Sequence, residues 1–217
     1  MMQKGKKFFT VITIIAVIAL ISAIGYVIYY YISNFVNLKE AEEAVDEFEK
    51  EVIIVNVEDN EQEETNQEEP ETTPQPTKVT SNKGTSYKGY TMIGTIQIPK
   101  TKVKVPIVDK GTPASMKSAA AVIYGPGLNK IGNTVIAAHN YRNGTFFSNN
   151  KKLVVGDKIY ITDLSGEKVE YTIYKTYTAD ETEFSYATRN TGGKREISLS
   201  TCTTDPTKRL VIWAKAN

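Results

Sequence analysis

The chain has 217 residues, of which 41% are hydrophobic and 24% charged, with a formal net charge of +1. It holds one cysteine and one histidine, which excludes an internal disulfide framework and a zinc site of clustered cysteine and histidine ligands. The length suits one compact domain with appendages.

Lys4, Lys6 and Lys7 precede an apolar run from Phe8 to about Ile32. A helix needs about 20 residues to cross the hydrocarbon core of a bilayer, and this run suffices. Tyr26, Tyr29, Tyr30 and Tyr31 gather at its far end, where amphipathic rings favour the headgroup layer. The basic flank predicts a cytoplasmic N-terminus, residues 1–7, an anchor over 8–32, and the rest of the chain outside. A cleaved signal peptide is the alternative, but its apolar core spans only about 7–15 residues.

Beyond the anchor, Leu38, Ala41, Val45 and Phe48 recur at helical spacing among glutamates, extending the helix outward. From Glu58 to about Tyr87 the composition turns to Glu, Gln, Asn, Thr and Pro, the signature of a disordered tether. The near-zero total charge hides an asymmetry. Residues 33–90 carry 15 acidic against 5 basic residues, a net of −10, and residues 91–217 carry 18 basic against 10 acidic, a net of +8. A basic domain on an acidic stalk suits attraction to anionic wall polymer or lipid headgroups. An ordinary solvated surface stands beside that reading. No nucleic-acid partner is expected.

Residues 91–217 read as mainly β. Met92–Ile98 and Val103–Val108 are short apolar runs, and Asn133–Ala138 is a buried-type strand ending at His139. Thr112-Pro113 predicts an N-cap and a first-turn proline, hence a short helix to about Ala120. A helical turn is expected over Phe146–Leu153. Ile159 and Ile161, then Val169, Tyr171 and Ile173, alternate around Ser165-Gly166 as a hairpin. Glu196–Thr201 and Leu210–Ala214 complete seven or eight strands, enough for a closed barrel or a sandwich.

Cys202 and Arg209 flank a polar turn between the last two strands, and His139 ends a third. A thiolate can attack a carbonyl while an imidazole shuttles protons, and a guanidinium can hold the developing oxyanion. On spacing alone, a structural histidine, a solvated arginine and a buried structural thiol remain the ordinary alternatives. A non-catalytic, anchored β-domain that binds wall polymer is the corresponding alternative function.

The sequence resembles the sortases, membrane-anchored cysteine transpeptidases of Gram-positive bacteria. The resemblance rests on Ile93-Gly94-Thr95-Ile96-Gln97-Ile98-Pro99, Gly132-Asn133-Thr134-Val135-Ile136-Ala137-Ala138-His139, Leu199-Ser200-Thr201-Cys202 and Arg209-Leu210-Val211-Ile212-Trp213-Ala214. It implies a closed seven- or eight-stranded β-barrel over 91–217, with 33–90 as stalk and linker. It implies that His139, Cys202 and Arg209 are catalytic, with Ala138, Ser200 and Thr201 beside the substrate. The implied reaction cleaves a Leu-Pro-x-Thr-Gly-like sorting signal on surface proteins through a thioacyl intermediate. The acyl group then passes to an amine on a peptidoglycan precursor or a pilin lysine, without a cofactor. No Asp-Pro lid motif precedes the barrel, and no acidic residue lies between Asp109 and Asp157 to supply a calcium loop. A compact class A-like or class D-like enzyme without a metal is expected. The Ser-His-Gly-Cys-x-x-Arg run of L,D-transpeptidases is absent.

Overall fold

The computed structural model describes residues 2–64 and 84–217. Helix α1, Met2–Glu64, is followed by nine strands: β1 Ser86–Tyr87, β2 Tyr90–Ile98, β3 Val103–Val108, β4 Ala120–Tyr124, β5 Gly132–Ala137, β6 Lys158–Asp163, β7 Lys168–Asp180, β8 Arg195–Cys202 and β9 Lys208–Ala216. The chain divides into two units, Met1–Lys39 and Glu40–Asn217.

The first unit is helical, and its side chains from Val11 to Ile32 are exposed. Mean hydropathy reaches 2.8 over the most apolar 18 residues, so this helix is long and apolar enough to cross a membrane. The helix continues through residues 58–64, where a tether was expected to begin; residues 65–83 of that tether lie outside the described residues.

The second unit is a closed barrel. Its sheet runs β1-β2-β3-β4-β5-β8-β9-β7-β6, and β6 returns to pair with β2, closing eight strands with β1 appended. The β3–β4 and β5–β8 pairs are parallel and the others antiparallel. Gly94 sits at the closure, opposite Asp163 on β6. A Cβ there would collide with the Thr162 carbonyl, so only glycine lets the two strands meet.

Alternation along each strand sends one set of side chains inward. Ile96, Ile98, Val105, Ile136, Ile161, Ile173, Ile197, Leu199 and Ile212 belong to the main core. Val135, Ala179 and Val211 take the opposite phase and form a smaller cluster with Tyr186 and Ala187.

The amphipathic stretch of α1 is part of this body. Ala41, Val45, Phe48 and Val52 are buried and join the main core, and the acidic residues between them meet barrel cations and hydroxyls. Lys88 Nζ lies 2.7 Å from Glu40 Oε2, Lys104 Nζ lies 3.4 Å from Glu49 Oε2 and bonds Asp46, and Thr85 Oγ1 donates to Glu51 at 2.8 Å. The hydrogen bond to Lys104 holds the Asp46 carboxyl below its ordinary range, and the same bond raises Lys104. Part of the barrel's positive charge is thus answered by its own helix.

The short helix expected over 112–120 is a single 3-10 turn, Ser115–Lys117, and Ala120 already begins β4. The N-cap of this turn is Ala114, without a side-chain cap, and Thr112 instead closes the turn just before it: Thr112 Oγ1 accepts from the Ser115 N–H at 3.0 Å, and Ser115 Oγ accepts from the Thr112 N–H at 2.9 Å. Ala119, Ala120 and Ala121 are fully buried, and the last two enter the sheet because β4 fits between β3 and β5. The turn expected over 146–153 is a 3-10 helix, Phe147–Lys152.

Candidate active site

Strand β8 ends at Cys202, and antiparallel pairing sets Cys202 directly opposite Arg209 on β9. Opposed residues of such a pair share a face. On β8, Ser198, Ser200 and Cys202 alternate with the core residues Ile197 and Leu199. On β9, Arg209, Val211 and Trp213 alternate with Leu210, Ile212 and Ala214. Both side chains therefore belong to the outward phase at one end of the barrel.

His139 reaches the same end from β5. That strand runs parallel to β8 with Ala137 opposite Ser200, and the Ala138 N–H extends the ladder to the Ser200 carbonyl at 3.3 Å. His139 thus lies one step beyond, level with Cys202. Its ring centroid is 5.1 Å from that of Tyr141. Asn140, which the sequence reading passed over, ties the two segments together. Its Nδ2 donates to the Cys202 carbonyl at 2.8 Å, and its Oδ1 accepts from the Arg142 N–H at 3.1 Å.

Arg209 is already engaged. One Nη1 donates to the Pro206 and Lys208 carbonyls at 2.7 and 3.1 Å, and Nη2 lies 3.2 Å from Glu181 Oε2. Glu181 is about half exposed and Arg209 about a quarter, so this pair is cheap to break, worth about 0–1 kcal/mol.

The flanking residues divide by role. Thr201 is buried, and its Oγ1 donates to the Ala138 carbonyl at 2.7 Å, stitching β8 to the chain beyond β5. Ala138 is also buried and acts through its backbone. Ser200 Oγ lies 3.2 Å from Tyr186 Oη and so anchors the segment joining β7 to β8. Asn133 holds that segment too, donating to the Tyr186 and Ala187 carbonyls at 3.0 Å each. A third attachment is Arg189, whose Nη2 lies 2.7 Å from Glu196 Oε2, with both side chains nearly buried. The Arg189 guanidinium sits 4.6 Å from the Trp213 ring, and Lys175 Nζ lies 4.3 Å from the same ring.

A pocket of about 330 Å³ opens beside Cys202, lined also by Asn140, Arg142, Ser148, Lys151 and Thr201. His139 and Arg209 are not part of that lining. Among the described residues no group of three or more His, Cys, Asp or Glu side chains could hold a metal ion.

The Sortase domain profile matches residues 96–217. Among curated proteins the chain is similar to a sortase A of Bacillus anthracis, 33% identical over 124 residues. It is similar also to a sortase A of Listeria monocytogenes, 37% identical over 130 residues. These alignments cover 56% and 58% of this chain, and the chain spans 58% and 57% of the length of those two relatives. Among solved structures, the Listeria monocytogenes sortase A superimposes with a TM-score of 0.53 at 31% identity, over 58% of this chain and 87% of that one. A pilus-related sortase C of group B Streptococcus gives 0.54 at 30% identity, over 58% and 67%. With its profile match spanning the barrel from β2 to the last residue of the chain, the protein belongs to the sortase family, whose members are cysteine transpeptidases.

Proposed function

We propose that this chain is a membrane-anchored transpeptidase in which Cys202 is the nucleophile, His139 the general acid and base, and Arg209 the oxyanion donor. The observation that carries the reading is the convergence of the three at one barrel end: Cys202 opposes Arg209 across an antiparallel pair, and His139 follows the strand parallel to β8. Residues 8–32 serve as the anchor, with 1–7 in the cytoplasm, 33–90 as stalk and linker, and the 91–217 catalytic domain outside. The class A-like assignment draws support from both curated relatives being sortase A proteins.

The acyl donor is a Leu-Pro-x-Thr-Gly-like sorting signal at the C-terminus of a surface protein. It lies on the outward face, beside the segment joining β7 to β8, where Phe184 and Tyr124 are exposed with ring centroids 5.9 Å apart. The Cys202 thiolate attacks the threonine carbonyl carbon, and the C–S bond forms. Arg209 leaves Glu181 to donate to the oxyanion. His139 gives its proton to the departing glycine amine as the C–N bond breaks. An amine of a peptidoglycan precursor or a pilin lysine then takes the acyl group. No step draws on a cofactor.

The experiment is cleavage of sorting-signal peptides by the full chain. Cys202→Ala abolishes cleavage while leaving the fold intact. Retained activity in that variant refutes the reading. A Cys202 that resists alkylating reagents in the folded protein favours a wall-polymer-binding domain instead.

A further inference from the structure

The chain from His139 to Phe147 folds back on itself. The Phe147 N–H donates to the His139 carbonyl at 3.2 Å, and Asn140 pairs with Phe146 in an isolated antiparallel bridge. Within the loop, Asn143 Oδ1 accepts from the Thr145 N–H at 3.0 Å, and Arg142 Nη2 reaches out to the Thr204 carbonyl at 3.0 Å. One residue is held against its preference. Phe146 has φ 49° and ψ −127°, a backbone conformation that side-chain-bearing residues rarely adopt. Such residues persist only where their surroundings over-determine them, and they gather at functional sites.

Burial is what holds Phe146. It is 3% exposed and belongs to the main core, and its ring meets Tyr141 edge to face, with centroids 5.8 Å apart and planes at 62°. Tyr141 is fastened again at its tip, where the hydroxyl donates to the Lys117 carbonyl at 2.9 Å. The same Tyr141 ring meets the His139 imidazole, with centroids 5.1 Å apart and planes tilted by 42°. Both separations fall in the range of favourable aromatic pairs, about 4.5–7 Å. The strained residue, the core and the end of the Ser115–Lys117 turn therefore all bear on one ring, and that ring bears on the histidine.

We propose that Tyr141 is a positioning residue for the general acid: its ring fixes the orientation in which His139 delivers a proton to the departing amine. The proposal rests on the transpeptidase reading of Cys202 and His139 and adds to it a residue outside the trio. In the step concerned, the Cys202 sulfur supplies the electron pair of the new C–S bond. The C–N bond of the donor breaks with its electron pair going to nitrogen, and the His139 proton goes to that nitrogen. An amide nitrogen leaves poorly without that proton, whereas an ester oxygen is a far better leaving group and needs less help from an acid. A misdirected imidazole therefore penalises an amide donor more than an ester donor.

The test uses the full chain in detergent with two donors, a Leu-Pro-x-Thr-Gly-like peptide and the same peptide with an ester in place of the Thr–Gly amide. Tyr141→Leu lowers kcat for the amide by about tenfold or more, the scale of a small misplacement of a reacting group, while KM stays near that of the parent. The same variant cleaves the ester within a few-fold of the parent rate. Tyr141→Phe, which keeps the ring and loses only the hydroxyl, recovers most of the amide rate. Should Tyr141→Leu fail to fold, Tyr141→Met takes its place with the same expectations. A ringless variant with the parent's kcat on the amide overturns the proposal. An equal loss on amide and ester also overturns it, because the ring then supports the site as a whole, and so does a Tyr141→Phe chain as impaired as the ringless one. A parent chain that acylates Cys202 with neither donor is a separate result, seen before any variant is made. It removes the transpeptidase reading and this proposal with it.

Discussion

Asn140 donates to the Cys202 carbonyl at 2.8 Å, and in doing so locks the residue after the histidine to the residue that carries the thiol. The link joins the end of β5 to the end of β8 by a side chain, beyond the point where backbone pairing stops. Its removal costs about 0.5–1.5 kcal/mol of stability, but the kinetic cost is larger, because a displacement of about 1 Å between reacting groups can cost on the order of a hundredfold. Asn140→Ala is therefore expected to lower the rate of Cys202 acylation by tenfold or more while the thermal midpoint moves by only a few degrees. An unchanged rate shows that the histidine is positioned by other means.

On the proposed reading, Arg209 has a resting contact and a separate working one. Its ion pair with Glu181 is partly exposed and worth at most about 1 kcal/mol, whereas an oxyanion donor is worth about 10²–10³ in kcat. Arg209→Ala should lose that factor, and Glu181→Gln should keep full turnover. Steady-state peptide cleavage by both variants decides the point; a Glu181→Gln enzyme as impaired as Arg209→Ala places the working role on the ion pair.

The docked stretch of α1 contributes to the stability of the barrel. Phe48 is 1% exposed within the core, so Phe48→Ala should destabilise by about 3–5 kcal/mol, read from denaturant unfolding of the full chain. The Asp46–Lys104 clasp adds a pH dependence. Asp46 is depressed by its hydrogen bond to Lys104, so its contribution is complete above the unfolded value of about 3.9 and fades as pH falls through the lower, folded value. Lys104 is raised by the same bond, so its contribution is complete below about 10.4 and fades as pH climbs through the higher, folded value. The clasp should be constant from about pH 4 to 10 and weaken outside that window. It should also weaken in high salt, since both groups are partly exposed. Lys104→Met should flatten both limbs, and a profile unaltered by that change assigns the pH dependence elsewhere.

Trp213 is the chain's one tryptophan, so its fluorescence reports on the Arg189 contact directly. Arg189→Met is expected to shift the emission and to destabilise by about 3–5 kcal/mol, because Glu196 is left buried without its partner. Adding Glu196→Gln should recover much of that loss. A single variant as stable as the parent shows that Glu196 is adequately served by Tyr174, whose hydroxyl donates to it at 2.6 Å.

The proposed catalytic trio was legible in the sequence because Cys202 and His139 are each the chain's one residue of their type and Arg209 follows Cys202 across a short turn, each at the edge of an apolar run. Most strands were legible for a different reason, their periodicity: Ile159, Ile161, Val169, Tyr171 and Ile173 alternate in the strand period. Strand β4 was harder to read. Its alanines have no strand preference of their own, and pairing with β3 and β5 decides their conformation. The docking of Ala41, Val45 and Phe48 was half visible: the period showed a helix with an apolar face, but only the tertiary structure shows that the barrel covers that face. Asn140, Arg142 and Ser148 left no local signal, since polar residues after a strand are ordinary loop residues until the fold brings Cys202 beside them.

The central claim, that Cys202 forms a thioacyl intermediate with a sorting signal, is tested most directly by mass spectrometry of the intact chain after exposure to a panel of sorting-signal peptides. The account predicts an adduct with the mass of the peptide up to its threonine, mapped to Cys202, released by amines and absent from Cys202→Ala. An adduct on another residue, or peptide cleavage with no adduct dependent on Cys202, would contradict it.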